Sequence, residues 1–114
     1  MRGYLTEKAD VYGFGVVALE TLCGRPVIDS RLEPGKVYLL EWAWRLHGKK
    51  HSLELVDPRL TDYNKEEAIH LLRIALLCTQ ASPKSRPSMS QVVAMLTGEV
   101  KVKRITEKPS YLSW

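Results

Sequence analysis

The chain has 114 residues, of which 45% are hydrophobic and 26% charged, and its formal net charge is +4 at pH 7. This composition is ordinary for a globular chain of at most one domain, and it excludes a fibrous repeat or an intrinsically disordered protein. The basic residues are dispersed, apart from a loose cluster at Lys101, Lys103, Arg104 and Lys108. Because nucleic-acid affinity needs a focused basic face, we expect no nucleic-acid partner.

The cysteines and the apolar runs point to a protein core rather than to a metal site or a membrane. Cys23 and Cys78 each stand beside a leucine without Cys-x-x-Cys or Cys/His spacing, which predicts two buried free thiols. The longest uncharged run, Val11–Leu19, is far shorter than the ~20 apolar residues that span a bilayer. We therefore expect no membrane span, and we interpret the run as a helix buried on every side.

The first predicted helix runs from about Glu7 to Cys23, with Thr6 as its N-cap and Gly24 as its left-handed exit. It contains Gly13 and Gly15, and each costs roughly 0.5–1 kcal/mol relative to alanine in a helix interior. Packing rather than propensity must therefore stabilise this helix. Glycine also lets a neighbouring backbone approach closely, which predicts a central element of the fold.

A loop at Asp29–Lys36 contains a Pro-Gly pair and precedes a second predicted helix at about Val37–His47. The short apolar segment Leu53–Val56 then stops at Asp57-Pro58, which is a turn signal. The third helix is predicted at about Lys65–Gln80, with Asn64 as its cap. Its apolar face comprises Ile69, Leu72, Ala75, Leu76 and Thr79.

The fourth helix is predicted at about Met89–Thr97, where Ser88 and Gln91 form a capping-box pattern and Gly98 closes the helix. Its inward side chains are expected to be Val92, Val93 and Leu96. No segment predicts a strand, and residues 99–114 form a polar C-terminal tail with aromatic residues near its end. The predicted fold class is therefore all-α, with about four helices joined by long connections.

Gly13–Ala18 matches the dinucleotide fingerprint G-x-G-x-x-G/A. That fingerprint binds a pyrophosphate only between a strand and a helix N-terminus. Because these glycines lie inside a predicted helix with no strand before them, we expect no nucleotide site there.

The same stretch has a second interpretation when its flank is included. Asp10–Val16 reads DVYGFGV and resembles the D-V-[WY]-[SA]-[FL]-G-V segment that opens the buried central helix of the protein kinase C-terminal lobe. Arg86–Leu96 reads RPSMSQVVAML and resembles the R-P-x-M-x-x-V-V-x-M-L ending of that lobe. The two motif blocks stand in the family's order, about 75 residues apart.

Four further segments are similar to plant receptor-like serine/threonine protein kinases, within the leucine-rich-repeat group that also carries a malectin-like ectodomain. These segments are Tyr4–Tyr12, Leu39–Trp44, Leu55–Leu60 and Ala75–Gln80. The tail around Lys108–Leu112 resembles that group too, so the resemblance covers essentially the whole chain. It implies a partial kinase domain at residues 1–98, followed by the tail at 99–114.

The resemblance implies roles for five structural anchors of the kinase fold. Asp10 matches the aspartate that accepts hydrogen bonds from the catalytic loop. The alternative is an ordinary aspartate in the first turn of a helix, where the helix dipole favours a negative charge. Arg86 matches the arginine that pairs with the glutamate of the A-P-E motif, or is a solvent-facing arginine before a proline. Val17 and Thr21 match positions that support an internal hydrophobic column, which differs little from core packing. Gly15 matches the one glycine of the family pattern D-V-[WY]-[SA]-[FL]-G-V.

Kinase chemistry needs a Gly-rich loop, a V-A-I-K lysine, an H-R-D aspartate and a D-F-G aspartate, and none of these motifs occurs in this sequence. The A-P-E motif is also missing; in the family it lies a few residues before the position of Met1. We therefore expect no catalytic, cofactor-binding or metal-binding residue here. ATP and Mg²⁺ would be bound by the complete kinase alone, and this chain by itself would be inactive.

Without their partners, Asp10 and Arg86 are expected to be exposed or rearranged, and the chain to be marginally stable. The expected partner is the N-terminal portion of the kinase or a protein that docks on its C-terminal lobe. The resemblance places the complete receptor at the plasma membrane, with this part on the cytoplasmic side. The alternative is a stand-alone kinase-like interaction module that competes for the same partners.

Overall fold

Four α-helices form the framework of the computed structural model, which describes residues 2–102. They are α1 (Arg2–Cys23), α2 (Leu39–Gly48), α3 (Lys65–Cys78) and α4 (Met89–Leu96). Short 3₁₀ helices lie between them at Pro34–Lys36, Ser52–Leu55 and Pro83–Ser85. Extended pairing within the described residues is limited to one antiparallel bridge between Ile28 and Tyr38. The predicted all-α fold with about four helices is confirmed.

The start of α1 differs from the prediction. The helix begins at Arg2, so Thr6 lies inside it and does not cap it. Residues 3–9 contain no proline to stop a helix from extending toward the N-terminus, and threonine is tolerated in a helix interior. The predicted exit is confirmed: Gly24 has a φ of +68°, and a Cβ there would collide with the Asp57 carboxylate.

The caps of α3 and α4 form as predicted. Asn64 Oδ1 accepts a hydrogen bond from the Glu67 backbone N–H at 3.0 Å. In α4 the Ser88 hydroxyl accepts from the Gln91 N–H at 3.2 Å, and Gln91 Oε1 accepts from the Ser88 N–H at 2.8 Å. These reciprocal bonds satisfy two backbone donors that the first helical turn leaves without partners. Gly98 has a φ of +83° and follows the end of α4.

Three side chains expected to face inward are exposed instead. Val93 and Leu96 in α4 and Ile69 in α3 are 53%, 41% and 36% exposed. Because α3 is the one described helix that packs extensively on α4, a single narrow stripe of α4 is buried. Val92 and Met95 occupy that stripe, and residues one position away on the helix point about 100° from it.

Helix α3 joins the two parts of the core. One cluster lies among α1, α2 and α3, and it includes Leu19, Leu39, Trp44, Leu72 and Leu76. The other lies among α1, α3 and α4, and it includes Val11, Ile74, Cys78, Val92 and Met95. Since α3 supplies buried residues to both clusters, its packing against α1 connects the N-terminal and C-terminal motif blocks.

The predicted burial of α1 on every side is not observed. Its inward face carries Val11, Gly15 and Leu19, whereas Asp10, Gly13, Val17 and Thr21 lie along an exposed face. Val17 is 59% exposed. The reason is that α2, α3 and the 3₁₀ helix Pro83–Ser85 all contact α1 from the inward side.

Both cysteines are free and buried, as predicted. Burial raises the pKa of the Cys23 and Cys78 thiols to about 12, since desolvation disfavours the thiolate. Trp44 is buried in the core, and Trp42 is half-buried with the Arg25 and Lys36 cations over its ring. The two tryptophans thus serve packing.

The start of the predicted tail lies against the core, because Val102 packs on the cluster shared by α3 and α4. The remainder of the tail, residues 103–114 with its aromatic end, lies outside the described residues. None of the helices in residues 2–102 is long and apolar enough to cross a membrane.

Candidate functional site

The two motif blocks meet in space at Arg86. The guanidinium of Arg86, from the second block, lies 4.8 Å from the ring centroid of Tyr12, in the first block. A cation over an aromatic face contributes about 0.5–1 kcal/mol at an exposed site and more when it is desolvated. Because Arg86 is half-buried, its contact with Tyr12 should stabilise the fold more than a fully exposed pair and less than a fully desolvated one.

Arg86 also donates to three backbone carbonyl groups from three different nitrogens. Nε donates to Gln80 O at 2.7 Å, Nη1 to Lys8 O at 3.1 Å and Nη2 to Ala81 O at 3.3 Å. Gln80 and Ala81 directly follow Thr79, which is buried at the end of α3. The bonds from Arg86 therefore fix the position of the chain where it leaves the core. A guanidinium has five N–H donors, so two remain for a further acceptor.

The contact with α1 is reciprocal. Lys8 Nζ donates to Arg86 O at 2.6 Å, while Arg86 Nη1 donates to Lys8 O. Gln80 Nε2 donates to Ser85 O at 2.9 Å and closes the loop between α3 and Arg86. We call Lys8, Tyr12, Gln80 and Arg86 the arginine latch, because they connect the first turns of α1 to the segment before α4.

A cavity of about 420 Å³ opens beside the latch. Four basic side chains contribute to its lining, and no aspartate or glutamate does. They are Lys8, Lys84, Arg86 and Lys101. The cavity therefore has a positive potential, and its charge suits a carboxylate from another segment or another chain.

Gly15 marks the closest approach between α1 and α3. A Cβ at this position would lie 2.8 Å from Cys78 Cβ, 2.8 Å from Thr79 Cγ2 and 2.9 Å from Ala75 O. These distances are too short for real contacts, so the two helices can pack this closely only because residue 15 has no side chain. At Gly13, by contrast, a Cβ would meet nothing within 4 Å.

The other three predicted anchors do not join the latch. Asp10, Val17 and Thr21 are exposed and lie on the opposite face of α1 from Gly15. Their spacing of seven and four residues places them on one side of the helix. A carboxylate, an aliphatic side chain and a hydroxyl are thus presented together on a face that no described element covers.

Two latch residues, Lys8 and Tyr12, were not predicted from the sequence. Lys8 and Tyr12 contact Arg86 through a backbone carbonyl and an aromatic face, and every residue has a carbonyl while aromatic residues are common. The available signal was spacing, because positions 8 and 12 are one helical turn apart and face the same direction. Within the described residues, no group of three or more histidine, cysteine, aspartate or glutamate side chains could hold a metal ion.

At the opposite end of α1, two aspartates order the adjoining loops. Asp57 accepts hydrogen bonds from the backbone and guanidinium of Arg59, which lower its pKa, and its own N–H donates to Leu22 O. Arg31 binds Asp29 in the same way and lowers the pKa of that carboxyl to about 2. These pairs maintain loop structure, and each of the two carboxylates is engaged by its own arginine.

Comparison with known proteins gives consistent similarity along the chain. Two leucine-rich-repeat (LRR) receptor-like serine/threonine-protein kinases of Arabidopsis thaliana are 60% and 59% identical to it over 113 residues, which is 99% of the chain. The chain matches a segment of plant receptor-like serine/threonine-protein kinases. Cold-responsive protein kinase 1 of the same plant is 51% identical over 100 residues, or 87% of the chain. No protein-family model matches.

The chain spans a small share of the length of these relatives. It covers 11% of the length of each of the two receptor-like kinases and 26% of cold-responsive protein kinase 1. The matched region takes in 99% of the chain, and it therefore contains both motif blocks and the whole arginine latch. The all-α fold is consistent with a portion of the kinase C-terminal lobe.

Proposed function

We propose that this segment is part of the C-terminal lobe of a receptor-like kinase whose complete domain transfers the γ-phosphoryl group of ATP to serine or threonine hydroxyls. The observation that carries the proposal is the 60% identity over 99% of the chain. The matched region includes both motif blocks, which contact each other through Arg86 and Tyr12. Phosphoryl transfer depends on positioning and charge stabilisation. In this proposal the segment supports the catalytic residues, and ATP and Mg²⁺ bind elsewhere in the complete kinase.

Two features of the structure support this assignment of roles. The exposed face of α1 presents Asp10, Val17 and Thr21, which are the residues that the resemblance directs toward the catalytic loop and the hydrophobic column. The basic cavity beside Arg86 suits the A-P-E glutamate, because two guanidinium N–H donors remain beyond those bonded to carbonyls. Each feature provides a surface for a preceding portion of a kinase.

A chimeric kinase tests the proposal. The catalytic domain of the 60%-identical Arabidopsis relative would carry this chain in place of its own matching segment, and phosphoryl transfer from ATP to a peptide would be measured. We expect activity within about tenfold of the parent kinase. Asp10→Ala in the chimera should lower kcat about 100-fold, since a displacement of about 1 Å at the catalytic loop has an effect of that size.

Asp62→Ala is the matched control, since it removes the same carboxylate from an exposed position outside α1. It should leave kcat unchanged. A chimera that folds but transfers no phosphate would contradict the proposal, as would equal losses for Asp10→Ala and Asp62→Ala. The chain on its own should not bind Mg-ATP saturably in calorimetry.

The second candidate function is an interaction module that competes with a complete kinase for C-lobe partners. The observation in its favour is the apolar exposure of α1, where Leu5 and Val17 are 58% and 59% exposed. Titration of the chain into an assay of the intact relative separates the two candidates. Inhibition that Val17→Asp abolishes would favour the module, whereas an unaffected kinase with an active chimera would favour the first candidate.

A further inference from the structure

A second cavity lies at the C-terminal end of α2, and no residue of α1 lines it. Its volume is about 460 Å³, and its walls come from the end of α2, the 3₁₀ helix Ser52–Leu55 and the middle of α3. We call it the α2–α3 groove. Leu53 and Ile69 provide its apolar surface, and the unexpected 36% exposure of Ile69 is exposure into this groove.

The charges around the groove are mainly positive. Lys50 and Arg73 line it, and neither forms an ion pair with a carboxylate in residues 2–102. The one acidic residue in the lining, Glu54, is 2.6 Å from His51 Nδ1 and is therefore already engaged. Two cations thus line the groove together with an apolar surface, and neither has a carboxylate partner of its own in residues 2–102, so they attract negative charge.

The backbone of Lys50 is the most unusual feature of the groove. Its φ is +60°, the one positive φ among the non-glycine residues described. Its N–H donates to His47 O, and the N–H of His51 donates to Leu46 O at 2.8 Å. These two bonds form a Schellman motif, whose left-handed position normally carries glycine. Lysine is strained there, so the position presents a cation at the expense of stability.

We propose that the α2–α3 groove binds an acidic segment of a partner protein. An apolar side chain of that segment packs on Leu53 and Ile69, and carboxylates on either side pair with Lys50 and Arg73. Charge complementarity selects this occupant, because the groove combines an apolar surface with two cations that form no ion pair in residues 2–102. The inference is independent of the proposed kinase function, since it uses no residue of α1 or of the latch.

The substitution Lys50→Gly separates binding from stability. It relieves the left-handed strain, so the thermal midpoint of the full 114-residue chain should rise by a few degrees. It also removes a cation, so affinity should fall. The probe is a fluorescein-labelled peptide with two central leucines flanked on each side by three glutamates. Fluorescence anisotropy should show Lys50→Gly combined with Arg73→Gln binding about tenfold more weakly than the unchanged chain.

The matched control is Lys84→Gln combined with Lys101→Gln, which removes two positive charges from the other cavity. It should bind the probe within twofold of the unchanged chain. Equal weakening by both double variants would overturn the proposal, because it would indicate attraction to net charge alone. Stabilisation by Lys50→Gly without loss of affinity would also overturn it.

Altered peptides, one further variant and an RNA probe identify the class of partner. A peptide with glutamine in place of glutamate, and one with serine in place of leucine, should each bind about tenfold more weakly. Ile69→Ser should weaken the binding of the leucine peptide and leave that of the serine peptide unchanged. A 12-nucleotide single-stranded RNA that binds as tightly as the peptide, and equally well to both double variants, would contradict a protein partner.

Discussion

Replacing Gly15 with alanine is expected to lower the free energy of unfolding by about 3 kcal/mol. The added methyl group would lie within 2.9 Å of three atoms on and after α3, one of which is the Ala75 backbone carbonyl oxygen. A backbone atom in the hydrogen-bonded last turn of a packed helix cannot move aside as a flexible side chain can. The helices must therefore separate, and overpacking of this kind costs typically 1–3 kcal/mol and occasionally more.

Gly13→Ala provides the comparison for the Gly15 prediction. It adds the same methyl group to the same helix, where nothing lies within 4 Å. Because alanine restricts the unfolded chain and favours the helix, this variant should gain about 0.5–1 kcal/mol. Urea denaturation followed by circular dichroism measures both variants. Opposite signs are expected, and stabilisation by Gly15→Ala would contradict the helix contact.

Replacing Arg86 with alanine should lower the free energy of unfolding by about 3 kcal/mol as well. The variant loses three hydrogen bonds from a charged donor and the contact with Tyr12. Hydrogen bonds that involve a charged group contribute about 1.5–3 kcal/mol each, but the freed carbonyls are partly exposed and recover some hydration. The total is therefore smaller than the sum of the separate bonds.

Arg86→Lys should lose about half as much, because an ammonium cannot reach three carbonyls in different directions. Lys84→Ala is the matched control two residues away, since Lys84 is exposed and should change stability by less than about 0.5 kcal/mol. Thermal and urea unfolding of the four proteins tests the order. If Arg86→Ala unfolded like Lys84→Ala, the latch would not contribute to stability.

Features that depend on neighbouring residues were predictable from the sequence. The Asn64 cap, the capping box of Ser88 and the left-handed Gly24 all form where expected, because each requires a few residues in a fixed order. A close approach of a neighbouring backbone to this part of α1 was predictable, since glycine in an apolar helix indicates tight packing. The partner helix was not predictable, because nothing local identifies it.

Features that depend on distant residues were missed. The exposure of Val17 and Val93 depends on which elements cover each helix face. The hydrophobic pattern of a helix does not identify the elements that pack against it. Thr6 has the chemistry of a cap, but a cap operates only where a helix begins, and α1 begins earlier. The acceptors of Arg86 are backbone carbonyls, which no side-chain motif can indicate.

The arginine latch has a consequence for the order of folding. Lys8 and Arg86 are 78 residues apart in the chain, so closing this contact costs considerable loop entropy. Contacts of such high sequence separation slow folding when they form in the transition state. We infer that α3 and its neighbours assemble first and that the latch closes late. Stopped-flow measurements on Arg86→Ala should then show faster unfolding and an unchanged folding rate.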